Sequence, residues 1–173
     1  MVATMTAPWR RRLVAASLPF ALLLAPLVTA GLPERPAVVL RDVRTTDVLL
    51  CGTVAGVDVV TLDFTHSMYG GRVEETFRVA GETLVRTGVR AERAAAAEYY
   101  GTYGDVLAED GWYRVVVTPL TIHDLRFVID GIGQHAVKIG TTRWAESADT
   151  SPARHASLRV ELVSTRQRRA WGC

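Results

Sequence analysis

Between residues 59 and 79, apolar side chains recur at every second position on both sides of a Gly-Gly pair. Val60, Leu62, Phe64 and His66 share one side of the first run, and Val59, Thr61, Asp63, Thr65 and Ser67 share the other. In the second run Val73, Glu75, Phe77 and Val79 alternate with Arg72, Glu74, Thr76 and Arg78. A period of two places alternate residues on opposite faces of a strand, so each run reads as a strand with one buried face. Gly70-Gly71 can supply the positive φ angles of a tight two-residue turn. Pairing about that turn sets Leu62 opposite Val79, Phe64 opposite Phe77, His66 opposite Glu75 and Met68 opposite Val73. The two apolar faces then coincide.

The same period extends over the rest of the chain. Strands are predicted over 37–43, 47–51, 57–67, 72–79, 83–90, 112–118, 122–129, 134–139 and 156–163, with Asp130-Gly131 as a hairpin turn. One stretch, 91–99, holds four consecutive alanines and reads as a short helix ended by Gly101. Tyr99, Tyr100 and Tyr103 then form an aromatic cluster, read first as a cover over a sheet edge and second as a ligand platform. The expected fold is mainly β: a single antiparallel β-sandwich or barrel-like domain with one short helix. The β domain spans 45–163. A linker and first strand occupy 31–44, and 164–173, with Arg166, Arg168 and Arg169, is a solvated basic tail.

Ahead of this domain, Arg10, Arg11 and Arg12 precede a stretch without charge from Leu13 to Leu32. A basic region, an apolar region and the small-residue stretch Val28-Thr29-Ala30 make the pattern of an export signal. Cleavage is expected after Ala30, the alternative being an uncleaved membrane anchor. Pro19 and Pro26 interrupt the apolar run and weaken a long straight membrane helix. The whole chain has 20 basic and 18 acidic residues; without Arg10–Arg12 the balance is 17 to 18, a net charge of −1. That excludes a nucleic-acid-binding or polybasic membrane role for the body. The expected location is extracytoplasmic, with membrane contact only through the N-terminal segment. Two cysteines are too few for a disulfide-dense scaffold or a cysteine zinc site. Cys51 is either bonded to Cys173 or a buried free thiol.

A carboxylate on an apolar face needs a partner. His66 is the first choice for Glu75, and Arg86 the second. A two-residue turn at Ala80-Gly81 sets Arg86 opposite Glu75, whereas a three-residue loop sets Thr87 there and turns Val85 and Val89 inward. Ser67, next to His66 on a strand, should point to the opposite face with Glu74, which argues against a Ser–His nucleophile pair. His66, His123, His135 and His155 show no ligand spacing, although His123 and His135 could approach across a 122–139 hairpin; they read as scattered surface histidines, and no metal or other cofactor is expected. Two roles suit the His66, Ser67, Glu75 and Arg86 cluster: a binding site, or a structural polar cluster that fixes strand register. The alternative is a hydrolase-like enzyme with His66 as general base oriented by Glu75.

The stretch His66-Ser67-Met68-Tyr69-Gly70-Gly71-Arg72-Val73-Glu74-Glu75-Thr76-Phe77 resembles the signature of the domain-of-unknown-function family 1850, small exported bacterial proteins. Gly101 to Gly104, Gly111-Trp112 and Asp130-Gly131 stand where that family has a Gly-rich stretch, a strand start and a C-terminal hairpin. The resemblance covers roughly 45–163 and singles out His66, Ser67 and Glu75. It departs at Gly70 and Arg72, where the family carries a proline and a basic residue inside the turn. The leading reading is a non-enzymatic exported β domain, and the resemblance, to a family of uncharacterised role often encoded beside TRAP transporter components of the TAXI type, implies an accessory part in solute uptake. Its partners would be membrane transporter components or a small solute.

Overall fold

The computed structural model describes residues 37–53, 59–101, 105–146 and 156–173. The proposed export segment 1–30, the linker at 33–36, Tyr103 and His155 lie outside them. Among the described residues the strands are β1 Ala37–Asp42, β2 Val48–Thr53, β3 Val59–Thr65, β4 Arg72–Ala80, β5 Thr83–Ala91, β6 Val106–Glu109, β7 Trp112–Val115, β8 Leu120–Ile122, β9 Asp124–Ile129, β10 Ala136–Ile139, β11 Thr142–Ala145 and β12 Ala156–Val163. Two short helices join them, α1 Ala94–Tyr100 and α2 Thr165–Ala170. Every strand pair is antiparallel, so the chain is mainly β as the period-two pattern requires.

The strands form two sheets. The smaller runs β2-β1-β12-β9; the larger runs β11-β10-β3-β4-β5-β7-β6, with β8 on the remaining length of β5. Inward residues of both, including Leu40, Leu158 and Val160 from one and Leu62, Phe77 and Val137 from the other, share a core. That is the packing of a β-sandwich. A second core of Val73, Val89, Ala91 and Val115 lies under Ala96 and Ala97 of α1. The alanines of 94–97 let the helix backbone approach the sheet closely, and Gly101 ends it with its N–H donating to the Ala97 carbonyl.

Two registers differ from the sequence expectation. β3 pairs with β4 so that Leu62 faces Glu75 and Phe64 faces Val73, four residues from the pairing about Gly70-Gly71. The turn is six residues long, His66 to Gly71. Its own hydrogen bonds set that length: His66 N–H donates to the Gly71 carbonyl at 3.0 Å and Gly70 N–H to the His66 carbonyl at 2.9 Å. A shift of four is even, so the buried faces still coincide. The β4–β5 turn is Gly81-Glu82, and a bulge at Thr87 splits the ladder. Before the bulge Leu84 and Arg86 face inward; after it Val89 and Ala91 do. Neither loop length considered from the sequence gives this arrangement, because the extra residue lies within the strand.

Asp130-Gly131 is not a hairpin turn. β9 belongs to the small sheet and β10 to the large one, so 130–135 crosses between sheets. His123 and His135 therefore do not face each other on a hairpin. Residues 164–173 are not a free end. Ser164 caps α2 in a capping box: its Oγ accepts from Gln167 N–H at 3.3 Å, and Gln167 Oε1 accepts from Ser164 N–H at 3.0 Å. Trp171 packs on Ala37, Val39 and Val163, and Cys173 is bonded to Cys51. Ser164→Ala should lower stability by about 1 kcal/mol, read as a shift of the urea midpoint at constant slope; an unchanged midpoint would deny the cap a role.

Candidate functional site

The 66–71 turn, the end of α1 and the 130–135 crossover enclose a cleft of ≈ 330 Å³. His66, Ser67, Tyr99, Tyr100, Asp130 and His135 are among its lining residues. It lies where the two cores meet, since Phe64 at its base packs against both.

His66 is only 7% exposed, yet it lines this cleft. Its Nδ1 accepts from Met68 N–H at 3.2 Å and Tyr69 N–H at 3.3 Å, so the ring is a structural part of the turn. Tyr69, Tyr99 and Tyr100 surround it with ring centroids 5.0, 5.2 and 6.3 Å away. Ser67 sits in the turn rather than on a strand, so the opposite-face rule does not reach it, and it lines the cleft with His66. Tyr99 and Tyr100 sit in the last turn of α1, where Tyr100 packs inward and Tyr99 stays exposed.

Glu75 takes the second partner expected of it, Arg86, and not the first, His66. It is held by Arg86, with Nη1 3.9 Å from Oε2, and by the Tyr100 hydroxyl. The bulge brings Arg86 to this position: Arg86 opposes Phe77 while Glu75 opposes Val89, which makes the two diagonal neighbours on one face. Burial pushes the Glu75 carboxyl up, against the opposing pull of Arg86 and Tyr100. The Tyr100 hydroxyl is pushed up as well, by its own burial and then by the Glu75 charge. Tyr100 thus touches both halves of the predicted cluster. It packs edge-on to His66 and bonds Glu75, so the two residues share a neighbour instead of a direct hydrogen bond.

This geometry speaks against His66 as a base oriented by Glu75. A histidine base presents Nε2 to substrate while a carboxylate accepts from Nδ1–H. Here backbone N–H groups donate to Nδ1, so the carboxylate's place is taken by donors.

His135, expected to be one of several scattered surface histidines, is instead a built part of the site. Its ring is stacked between Phe64 and Phe127, at 5.8 and 5.5 Å, and its Nδ1 lies 3.2 Å from Glu146 Oε2. It is therefore no surface histidine. Glu146 also accepts from Gly131 N–H at 2.8 Å and His135 N–H at 3.0 Å, which fixes the crossover. Asp130 Oδ1 accepts from Ile132 and Gly133 N–H, and these bonds hold its carboxyl below the usual range. Gly133 presses on the imidazole edge, where any side chain would collide with the ring. The pair closes the open end of the β10–β11 hairpin, where Glu146 N–H donates to the His135 carbonyl at 2.8 Å, and the alternation at 134–139 does not reveal that hairpin's second strand. Among the described residues no group of three or more His, Cys, Asp or Glu side chains is placed to hold a metal.

The rim is apolar. Met68, Tyr99, Val128 and Ile132 all line the cleft, and all four are exposed, Met68 and Ile132 by 71% and 70%. No curated protein and no solved structure matches the chain. Residues 60–145 match the family model of a domain of unknown function (DUF1850). That span runs from β3 to β11 and contains every residue named here as lining the cleft. The chain belongs to the DUF1850 family, and the residues lining its candidate cleft lie inside the family's segment, with Glu146, the partner of His135, one residue beyond it.

Proposed function

We propose that this protein is an extracytoplasmic, non-enzymatic binding domain whose site is the cleft between the 66–71 turn, α1 and the 130–135 crossover. The observation that carries the reading is the rim. Four large exposed apolar side chains converge on one cleft with polar groups at its floor. Exposed apolar surface gathered in this way marks an interaction site, whereas scattered single residues do not. A Cys51–Cys173 bond suits an oxidising compartment, in keeping with the basic-then-apolar N-terminus. The occupant is a partner protein or a small solute, and the family resemblance favours an accessory role in TRAP/TAXI-type solute uptake.

The test places a photo-crosslinking residue at Ile132, and separately at Leu107, in the host cell. Leu107 is exposed but belongs to β6 and does not line the cleft. Irradiation should give a defined adduct at 132 and none at 107. A protein-sized adduct identifies a partner and a small mass increment identifies a solute. Equal labelling at both positions, or none at 132, would overturn the reading.

A further inference from the structure

The two histidines of the cleft are held in opposite tautomers. Backbone N–H groups donate to Nδ1 of His66, so this nitrogen accepts and the neutral ring carries its proton on Nε2. At His135 the order is reversed. A carboxylate only accepts, so Nδ1 beside Glu146 carries a proton and, in the neutral ring, Nε2 keeps the lone pair. His66 therefore offers a donor at Nε2 and His135 an acceptor. Among the described residues neither Nε2 has a hydrogen-bond partner. Both rings are also fixed in place, one by the turn and its tyrosines, the other by two phenyl rings and Gly133.

The surroundings limit the ligand's charge. No lysine or arginine is among the described lining residues, so an anion finds no counter-ion. The one carboxylate, Asp130, already accepts two backbone N–H bonds at Oδ1. Tyr99 adds an exposed aromatic face, with Tyr100 standing edge-on to it at 83°.

Resting on the binding role proposed above, the geometry points to an uncharged, planar amide-type group as the ligand of this cleft. Its carbonyl oxygen accepts from His66 Nε2–H, its N–H donates to His135 Nε2, and its plane lies against Tyr99. Open carboxamides and cyclic lactams share this donor–acceptor edge.

The test uses the whole protein at neutral pH and four probes of similar size. Benzamide and 2-pyridone represent the open and cyclic amide; benzoate and benzylammonium carry charge. Long-range nitrogen–proton spectra of the histidine rings report tautomer and contact together. The free protein should show His66 protonated at Nε2 and His135 at Nδ1. At least one amide should shift Nε2 of both rings, and whichever binds tighter names the source; the charged probes should shift neither at equal concentration. His66→Asn keeps an acceptor for the Met68 and Tyr69 amides, and His135→Asn keeps a donor for Glu146. Each should weaken amide binding about tenfold while leaving the fold intact. Either ring in the other tautomer, a charged probe binding as tightly as the amides, or silence from both amides would overturn the inference. An adduct at Ile132 alongside such a result would leave the binding role standing and discard only the ligand class.

Discussion

Replacing Cys51 with serine should cost the domain about 2–4 kcal/mol. The bond closes a loop between residues 122 apart in sequence, with Cα atoms 5.9 Å apart. In the chain-entropy account, a loop of this length removes so much freedom from the unfolded chain that the effect approaches about 5 kcal/mol. The native state also loses a fastening. α2 is six residues long and buries no residue of its own. What holds it is its cap, the Trp171 contacts and Cys173. Once freed, it uncovers Ala37, Val39 and Val163, which are buried in the intact fold. Urea unfolding of the wild type with and without reductant, beside Cys51→Ser under both conditions, is the measurement. The reduced wild type should match the variant, and the variant should ignore the reductant. Equal midpoints for oxidised and reduced wild type would show that the bond contributes nothing.

The second large effect concerns Glu75 and Arg86. Arg86→Ala should cost about 1–3 kcal/mol, since it leaves a largely buried carboxylate without its cation. The pair itself is a poor one: its atoms are 3.9 Å apart, and Arg86 Nε is buried without a hydrogen bond among the described residues. Glu75→Leu with Arg86→Met should therefore recover most of the loss, because a desolvated pair with imperfect geometry is worth little against apolar packing. The sign of the pH effect follows from the raised carboxyl. Folding favours the protonated acid, so Glu75 contributes stability that is fully present below the ordinary value of 4.5 and is lost as pH rises through the folded value. Wild type should gain on Glu75→Gln as pH falls from neutral toward 4.5. A stability difference that is flat across that window, or a double variant as weak as Arg86→Ala, would contradict this account.

The faces of the β-sandwich were legible in the sequence, and the registers were not. Alternation shows which residues of β3 and β4 point inward, and a shift of four leaves that answer untouched. What set the register was a side chain, His66, folding back on the backbone of its own turn. The odd residue at Thr87 was likewise invisible, because a bulge changes the phase inside a run that still looks continuous. Glu75 and Arg86 stood out correctly as polar residues on an apolar face. Their reason is that they lie on the seam between the two cores: Phe77 and Leu84 belong to one, Val73 and Val89 to the other. The strands at 106–109, 120–122 and 142–145 were missed because three or four residues carry too little periodicity. His135 depends on Phe64 and Phe127 from two other strands, which no local pattern joins to it, and on Glu146 across a hairpin whose second strand was among those missed.

β12 also fixes the polarity of the molecule. It begins at Ala156, beside Ile129 and the crossover that walls the cleft, and ends at Val163, beside Ala37. Its eight residues span on the order of 24 Å. Ala37, Val163 and Trp171 gather at the far pole, so the described chain enters and leaves on that side. The apolar-rimmed cleft and the disulfide-fastened end of this domain thus lie at opposite ends of one strand.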